Sequence, residues 1–265
     1  MTSSLLRDSR IRSVAWRDLT RLAWWEIAKE LTLSLPWLVL SLWLAARALY
    51  LPAAGASFVF YLTGLRQVHN AFHFTLGLPR WASDAVMLTL SVGMLGSMHA
   101  VRFNHMRHHR HCMADDDVEA MSATMGAWRA LLTGPLFPIR MHAQALRGAT
   151  RNQRRWIIAE LAANVVWVAL VFLVLRVPAL RYHVGAMVLG QCLSSVFCVW
   201  TVHHGCDPSH TPARTLRNQL KSFVTYNMFL HDEHHLFPQV PTCRLSTVAE
   251  RIDAAAPGRD HQTVF

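Results

Sequence analysis

The chain has 265 residues, of which 52% are hydrophobic and only 16% charged, against about 25% charged in an average soluble domain. That composition excludes an ordinary soluble enzyme, a disordered chain and a coiled coil. The formal charge of +10 is spread evenly, without a nucleic-acid motif, so it gives no reason to expect a nucleic-acid partner.

In chain order, the first long apolar run is 31–51, about the 20 residues that a spanning helix needs. Before it lies a polar, basic segment, 1–30, with no cleavable signal peptide. A weaker second candidate, 54–74, begins apolar and turns polar at Arg66, Gln67, His69, Asn70 and His73. Residues 83–98 are too short for a span and read as an interfacial or buried helix. The Arg-rich stretch 127–155 reads as lying along the membrane surface, and 157–175 and 183–202 complete the spans.

With four spans and both termini on one side, 23 Lys and Arg residues face that side and 3 face the other. The positive-inside rule makes the richer side cytoplasmic. The sequence therefore predicts an all-α, multi-pass integral membrane protein with about four transmembrane helices in two hairpins. A cytoplasmic cap would hold the histidines. One domain covers 1–265, with the membrane and histidine region at 31–255. Five cysteines show neither CxxC nor zinc-finger spacing.

The 16 histidines are clustered. His69 and His73 form HNAFH; His105, His108 and His109 form HMRHH; His231, His234 and His235 form HDEHH. Positions i, i+3 and i+4 share one helix face, so each cluster aims two or three imidazoles in one direction. All three clusters fall at or just outside span ends on the cytoplasmic side. Eight buried imidazoles would repel one another and leave lone pairs unsatisfied. Metal binding resolves both problems, and eight ligands exceed what one ion needs. All-nitrogen ligation suits iron, zinc or copper, of which zinc is redox-inactive.

HNAFH, HMRHH and HDEHHLFPQVP resemble the three histidine boxes of the membrane fatty-acid desaturase superfamily. The acidic ADDDVE at 114–119 resembles the segment that often follows the second box. The resemblance covers roughly 35–255. It implies two non-haem iron ions held by His69, His73, His105, His108, His109, His231, His234 and His235. It also implies oxygen-dependent C–H activation of a lipid chain, and a further ligand from the last span: His203 or His204.

The expected activity is desaturation of an acyl chain, with O2 as co-substrate. Box one, however, is HxxxH rather than HxxxxH, a spacing also found among carotenoid ketolases and hydroxylases of the superfamily. The chain carries no cytochrome-like domain and no Gly-rich nucleotide motif. Electrons would come from a ferredoxin or cytochrome b5 with its reductase. A haem-binding membrane electron carrier is the non-enzyme alternative. The expected location is a bacterial inner membrane.

Among the other histidines, His99 and His111 flank box two as candidate partners of ligands. His183 is expected at the far membrane interface, and His142, His210 and His261 at the surface. Asn70, Asp232, Glu233 and Asn227 are candidate acceptors for ligand N–H groups, Asn227 as a neighbour on the helix face of His231.

Overall fold

The computed structural model describes residues 8–207 and 211–264, and no strand occurs among them. Three helices are long and apolar enough to cross a membrane: α1 (Trp24–Ala46), α7 (Arg151–Leu175) and α8 (Pro178–His203). Between them lie α2 (Tyr50–Phe72), α3 (Arg80–Met94), α4 (Met98–His111), α5 (Ala127–Thr133) and α6 (Leu136–Gly148). Three helices follow: α9 (Gln219–Val224), α10 (His231–Leu236) and α11 (Leu245–Ala255).

The boundaries correct the sequence reading. The first span begins at Trp24, inside the segment read as cytoplasmic, and ends at Ala46. Arg47 caps it and Ala48 turns the chain with φ +58°. Tyr50 and Leu51 open α2 instead. That helix has 23 residues, about 34 Å, yet the polar third that carries His69 keeps it out of the apolar spans. The candidate fourth span is the pair α3 and α4, bent by 112°. The stretch read as one short helix at 83–98 contains this bend.

The helices pack because their inward faces are apolar and small. Phe60, Val68, Phe72, Met87, Leu90, Met94 and Met187 form a core among α2, α3 and α8. The outward faces of the spans stay apolar too, with Val165 and Leu173 more than two-thirds exposed, as lipid-facing surfaces do. Beyond the spans, Ile11, Val14 and Leu19 pack on Leu245, Val248 and Ile252 of α11. The N-terminal segment thus lies against the C-terminal helix.

Several polar groups buried in this scaffold are paired across the bend. At the bend, Leu95 takes φ +55°. The carbonyls of Gly93 and Met94 there accept from His183 Nε2 at 2.9 Å and Gln191 Nε2 at 2.8 Å. His183 is buried, not interfacial, because it serves this bend. Ser97 caps α4 and donates to Glu160 Oε2 at 2.6 Å; His99 N and Nδ1 donate to the same carboxylate at 3.0 and 2.8 Å. His99 therefore braces the bend. Likewise His142 accepts from Ser97 N at 2.9 Å.

A second buried pair joins α1 to α2. Glu30 is 1% exposed and meets the guanidinium of Arg66 and the amide of Asn70. Removing one member of a buried pair strands the other, at a cost of roughly 3–5 kcal/mol. Arg66→Met is expected to lower the unfolding temperature strongly, and Glu30→Gln in the same chain to recover much of the loss. A thermal melt of the three proteins in detergent measures both.

Candidate metal centre

Four elements deliver nine imidazoles to one buried place. α2 brings His69, with His73 at its C-terminal cap. α4 brings His105, His108 and His109. The end of α8 brings His203, and α10 brings His231, His234 and His235. They sort into two groups whose ligand atoms lie within 4.8 Å of one another. One group is His69, His73, His105, His109 and His234; the other is His108, His203, His231 and His235.

Within the first group Nε2 atoms stand 3.0 Å apart in His73–His105, 3.1 Å in His105–His109 and 2.9 Å in His109–His234. In the second the separations are 3.1 Å for His203–His231 and 3.3 Å for both His231–His235 and His108–His235. Two imidazole nitrogens bound at right angles to one ion at about 2.1 Å stand about 3.0 Å apart. The Nε2 edges match that figure.

The other ring nitrogens show which Nε2 atoms carry lone pairs. His105 Nδ1 donates to Glu119 Oε1 at 2.8 Å, and His108 Nδ1 to Asp117 Oδ2 at 2.7 Å. His203 Nδ1 donates to Pro212 O at 2.8 Å. With the proton on Nδ1, each Nε2 presents a lone pair inward. His69 Nε2 is buried without any hydrogen-bond partner. Imidazole nitrogens gathered this closely, three of them with Nδ1 already engaged, are a donor set that fits the two metal ions that the spacing implied.

Burial holds His231, His234 and His235 well below the usual histidine range, with neighbouring imidazoles adding to it. Burial also pushes Glu119 up to about 7. For Asp117 burial acts upward too, but the hydrogen bonds from His108, Met113 and Ala120 prevail and lower it.

His204 is the one candidate ligand set apart. Its Nδ1 donates to Ala123 O at 3.1 Å and its ring stacks on Trp200. The cause lies one turn earlier, where Ser195–Trp200 winds as a π-helix. Such a wide turn absorbs about one extra residue, so His203 takes the direction that a regular helix would give Val202. Wide turns of this kind recur at functional sites.

The neighbours of the ligands act as anchors. Asn70 Oδ1 accepts from Thr242 N at 3.1 Å and Oγ1 at 2.8 Å, tying box one to the chain after box three. Asp232 pairs with Arg259 at 2.6 Å, and Glu233 accepts from Thr215 at 2.6 Å and Arg217 at 2.8 Å. Asn227 is not on the helix of His231, because α10 begins only at His231 and Asn227 turns the chain with φ +58°. His111 is exposed, His261 is half-buried, and His210 lies outside the described residues. Sequence reasoning noticed the acidic segment but not that Asp117 and Glu119 are its working members. Their distances of nine and fourteen residues from His108 and His105 were the available signal.

Two neighbouring apolar cavities lie beside the centre. One lies between α2 and α8, lined by Ser57, Tyr61, Leu189 and Gly190. The other is lined by His69, His105, His231, His234, Phe72 and Leu230. Leu62, Leu65, Phe197 and Cys198 line both, so the two cavities are adjacent, one beside the membrane-long helix α8 and one at the imidazoles.

A helical protein with membrane-long apolar helices and nine converging histidines belongs to a narrow class: membrane proteins built around a histidine metal site. The chain is a member of the fatty acid desaturase family, whose sequence model matches residues 42–264. No curated protein matches the chain.

The depressed histidines make stability depend on pH. Imidazoles that stay neutral when folded, and protonate near 6.5 when unfolded, stabilise the fold only above that value. As pH falls the unfolded chain takes up the extra protons, and stability falls with it. The metal-free protein is therefore expected to melt at lower temperature at about pH 5.5 than at about pH 7.5. An unchanged melting temperature would show that the folded cluster accepts protons freely.

Proposed function

We propose that the chain is an oxygen-dependent di-iron desaturase that places a double bond in the acyl chain of a lipid. The observation that carries this reading is the apolar cavity that reaches His69, His105, His231 and His234, members of two histidine ligand sets. His69, His73, His105, His109 and His234 would hold one iron; His108, His203, His231 and His235 would hold the other. When bound, the irons supply, with O2, the oxidising power to remove hydrogen from an unactivated methylene.

The protein's own part is placement and insulation. Asp117, Glu119 and the Pro212 carbonyl fix three imidazoles in the tautomer that ligates. Leu62, Leu65, Phe197 and Phe72 offer an acyl chain apolar contact and leave water few partners near the irons. A flexible chain suits such a narrow space between helices. The HxxxH of box one favours a second reading, oxidation of a carotenoid ring. A haem-carrying role fits less well: axial imidazoles come as isolated pairs with a porphyrin between them, whereas these stand about 3 Å apart in groups.

In this reading α7 and α8 form one hairpin of spans, α1 with α2 folded back on it forms the other, and the histidine region would cap their cytoplasmic ends. The contact of N-terminal segment and α11 supports both termini on one side, and the basic excess supports that side as cytoplasmic. Membership of the family and the apolar helices support an integral membrane location, with the bacterial inner membrane as the proposed one. Electrons would arrive from an acidic carrier such as a ferredoxin or cytochrome b5, drawn to exposed arginines such as Arg147 and Arg151.

The test is expression in a plain host and in a carotene-producing host, followed by mass spectrometry of lipids and pigments. Fatty acids lighter by two hydrogens are expected, and a ketone on carotene with unchanged fatty acids would favour the ring reading. His105→Ala, His109→Ala and His231→Ala are each expected to abolish the product and to lower the iron content of the purified protein. Turnover should also require an added carrier and reductase and weaken as salt rises.

A further inference from the structure

The chain between the last span and the third histidine box carries a short amphipathic helix packed beside the first membrane-long helix. α9 exposes Leu220, Phe223 and Val224 at 72, 76 and 64%. These are positions i, i+3 and i+4, which share one helix face. The opposite face is tied down: Ser222 is buried and its Oγ donates to Leu216 O at 2.9 Å. Asn218 caps the start of the helix, accepting from Lys221 N at 2.9 Å. Three large apolar side chains therefore stand outward together by construction.

The residues that follow show where this face lies. Trp37 Nε1 donates to Tyr226 OH at 3.0 Å, and Arg66 Nη1 donates to Tyr226 O at 2.6 Å. Trp37 stands near the middle of Trp24–Ala46, the first membrane-long helix, which exposes Leu35 and Val39 close by in sequence. Tyr226 and Asn227 then both take left-handed backbone, φ +56° and +58°. That strained pair reverses the chain, and Met228 and Phe229 line the cavity at the imidazoles. So one short segment carries an outward apolar face, a clamp to the flank of a span and part of the wall of the metal cavity.

We propose that α9 is seated in the acyl-chain region of the adjoining lipid leaflet, as a wedge at the edge of the cavity. The occupant of its apolar face is the bilayer rather than a protein partner. Three side chains fall far below the roughly 800 Å² per partner of a stable protein interface. The clamp to Trp37 sets the face beside a lipid-facing helix, and the exposed Lys221 can extend to the phosphate layer. The proposal rests on the membrane reading of Trp24–Ala46 and needs neither bound iron nor turnover.

Photo-cross-linking tests it. Benzoylphenylalanine is placed at Phe223, at Leu220, or at Glu250, an exposed position on α11. The full chain is reconstituted in vesicles of phosphatidylcholine and phosphatidylglycerol with alkyne-tagged acyl chains, and irradiated. Lipid adducts at 220 and 223 are expected several-fold above those at 250. Adduct yields equal to that at 250, or adducts to another protein in their place, would overturn the proposal. Both probe sites are exposed, so the fold tolerates the probe; an unchanged melting temperature checks this. Because the readout is lipid attachment, it stands or falls separately from the desaturase reading.

Discussion

An imidazole has two nitrogens, and in a buried site both must be answered. At this centre one side of the ring gives its proton to a fixed acceptor: Glu119 for His105, Asp117 for His108, the Pro212 carbonyl for His203. The other side then points a lone pair at its neighbours, about 3 Å away. Three rings so fixed, with six more packed against them, form a dense nitrogen donor set suited to metal ions. Most of the architecture can be read as the means of holding them there. The bend between α3 and α4 aims box two, the Asn70–Thr242 contact locks box one to the chain after box three, and the wide turn in α8 aims His203.

This constraint also explains where charge was spent inside the protein. Glu30 with Arg66, and Glu160 with Ser97 and His99, are buried. Neither pair is a bargain in stability, since desolvation offsets most of the attraction. Each sits where a helix must be held at one depth or one angle, and small errors there would be carried down the helix to a ligand. A ligand displaced by an ångström no longer bonds its metal.

Much of this was legible in the sequence. The histidine triplets at i, i+3 and i+4 marked which residues converge in the structure, because helical spacing carries that information locally. The long apolar runs marked the spans, though their ends shifted by several residues where Trp24 and Ala48 obey packing and turn geometry rather than hydropathy. Three features were hidden. The choice of His203 over His204 depends on the winding of Ser195–Trp200, which residue counting on a regular helix misplaces. His183 looked interfacial because its partner, the Gly93 carbonyl, is exposed by a bend ninety residues earlier. The anchoring of Asp232 and Glu233 by Arg259, Arg217 and Thr215 is long-range in the same sense.

The N-terminal segment and α11 share one apolar core, and that core reaches Leu230, Leu236 and Phe237 on either side of box three. The N-terminal segment and α11 thus back the same histidines together. A nascent chain emerging from the ribosome holds boxes one and two, and even His203, before it holds α10 and α11. The second ligand set then has only His108 and His203 of its four members. Neither ligand set is complete until His231, His234 and His235 of α10 are made, so the order of translation leaves the whole site waiting on box three.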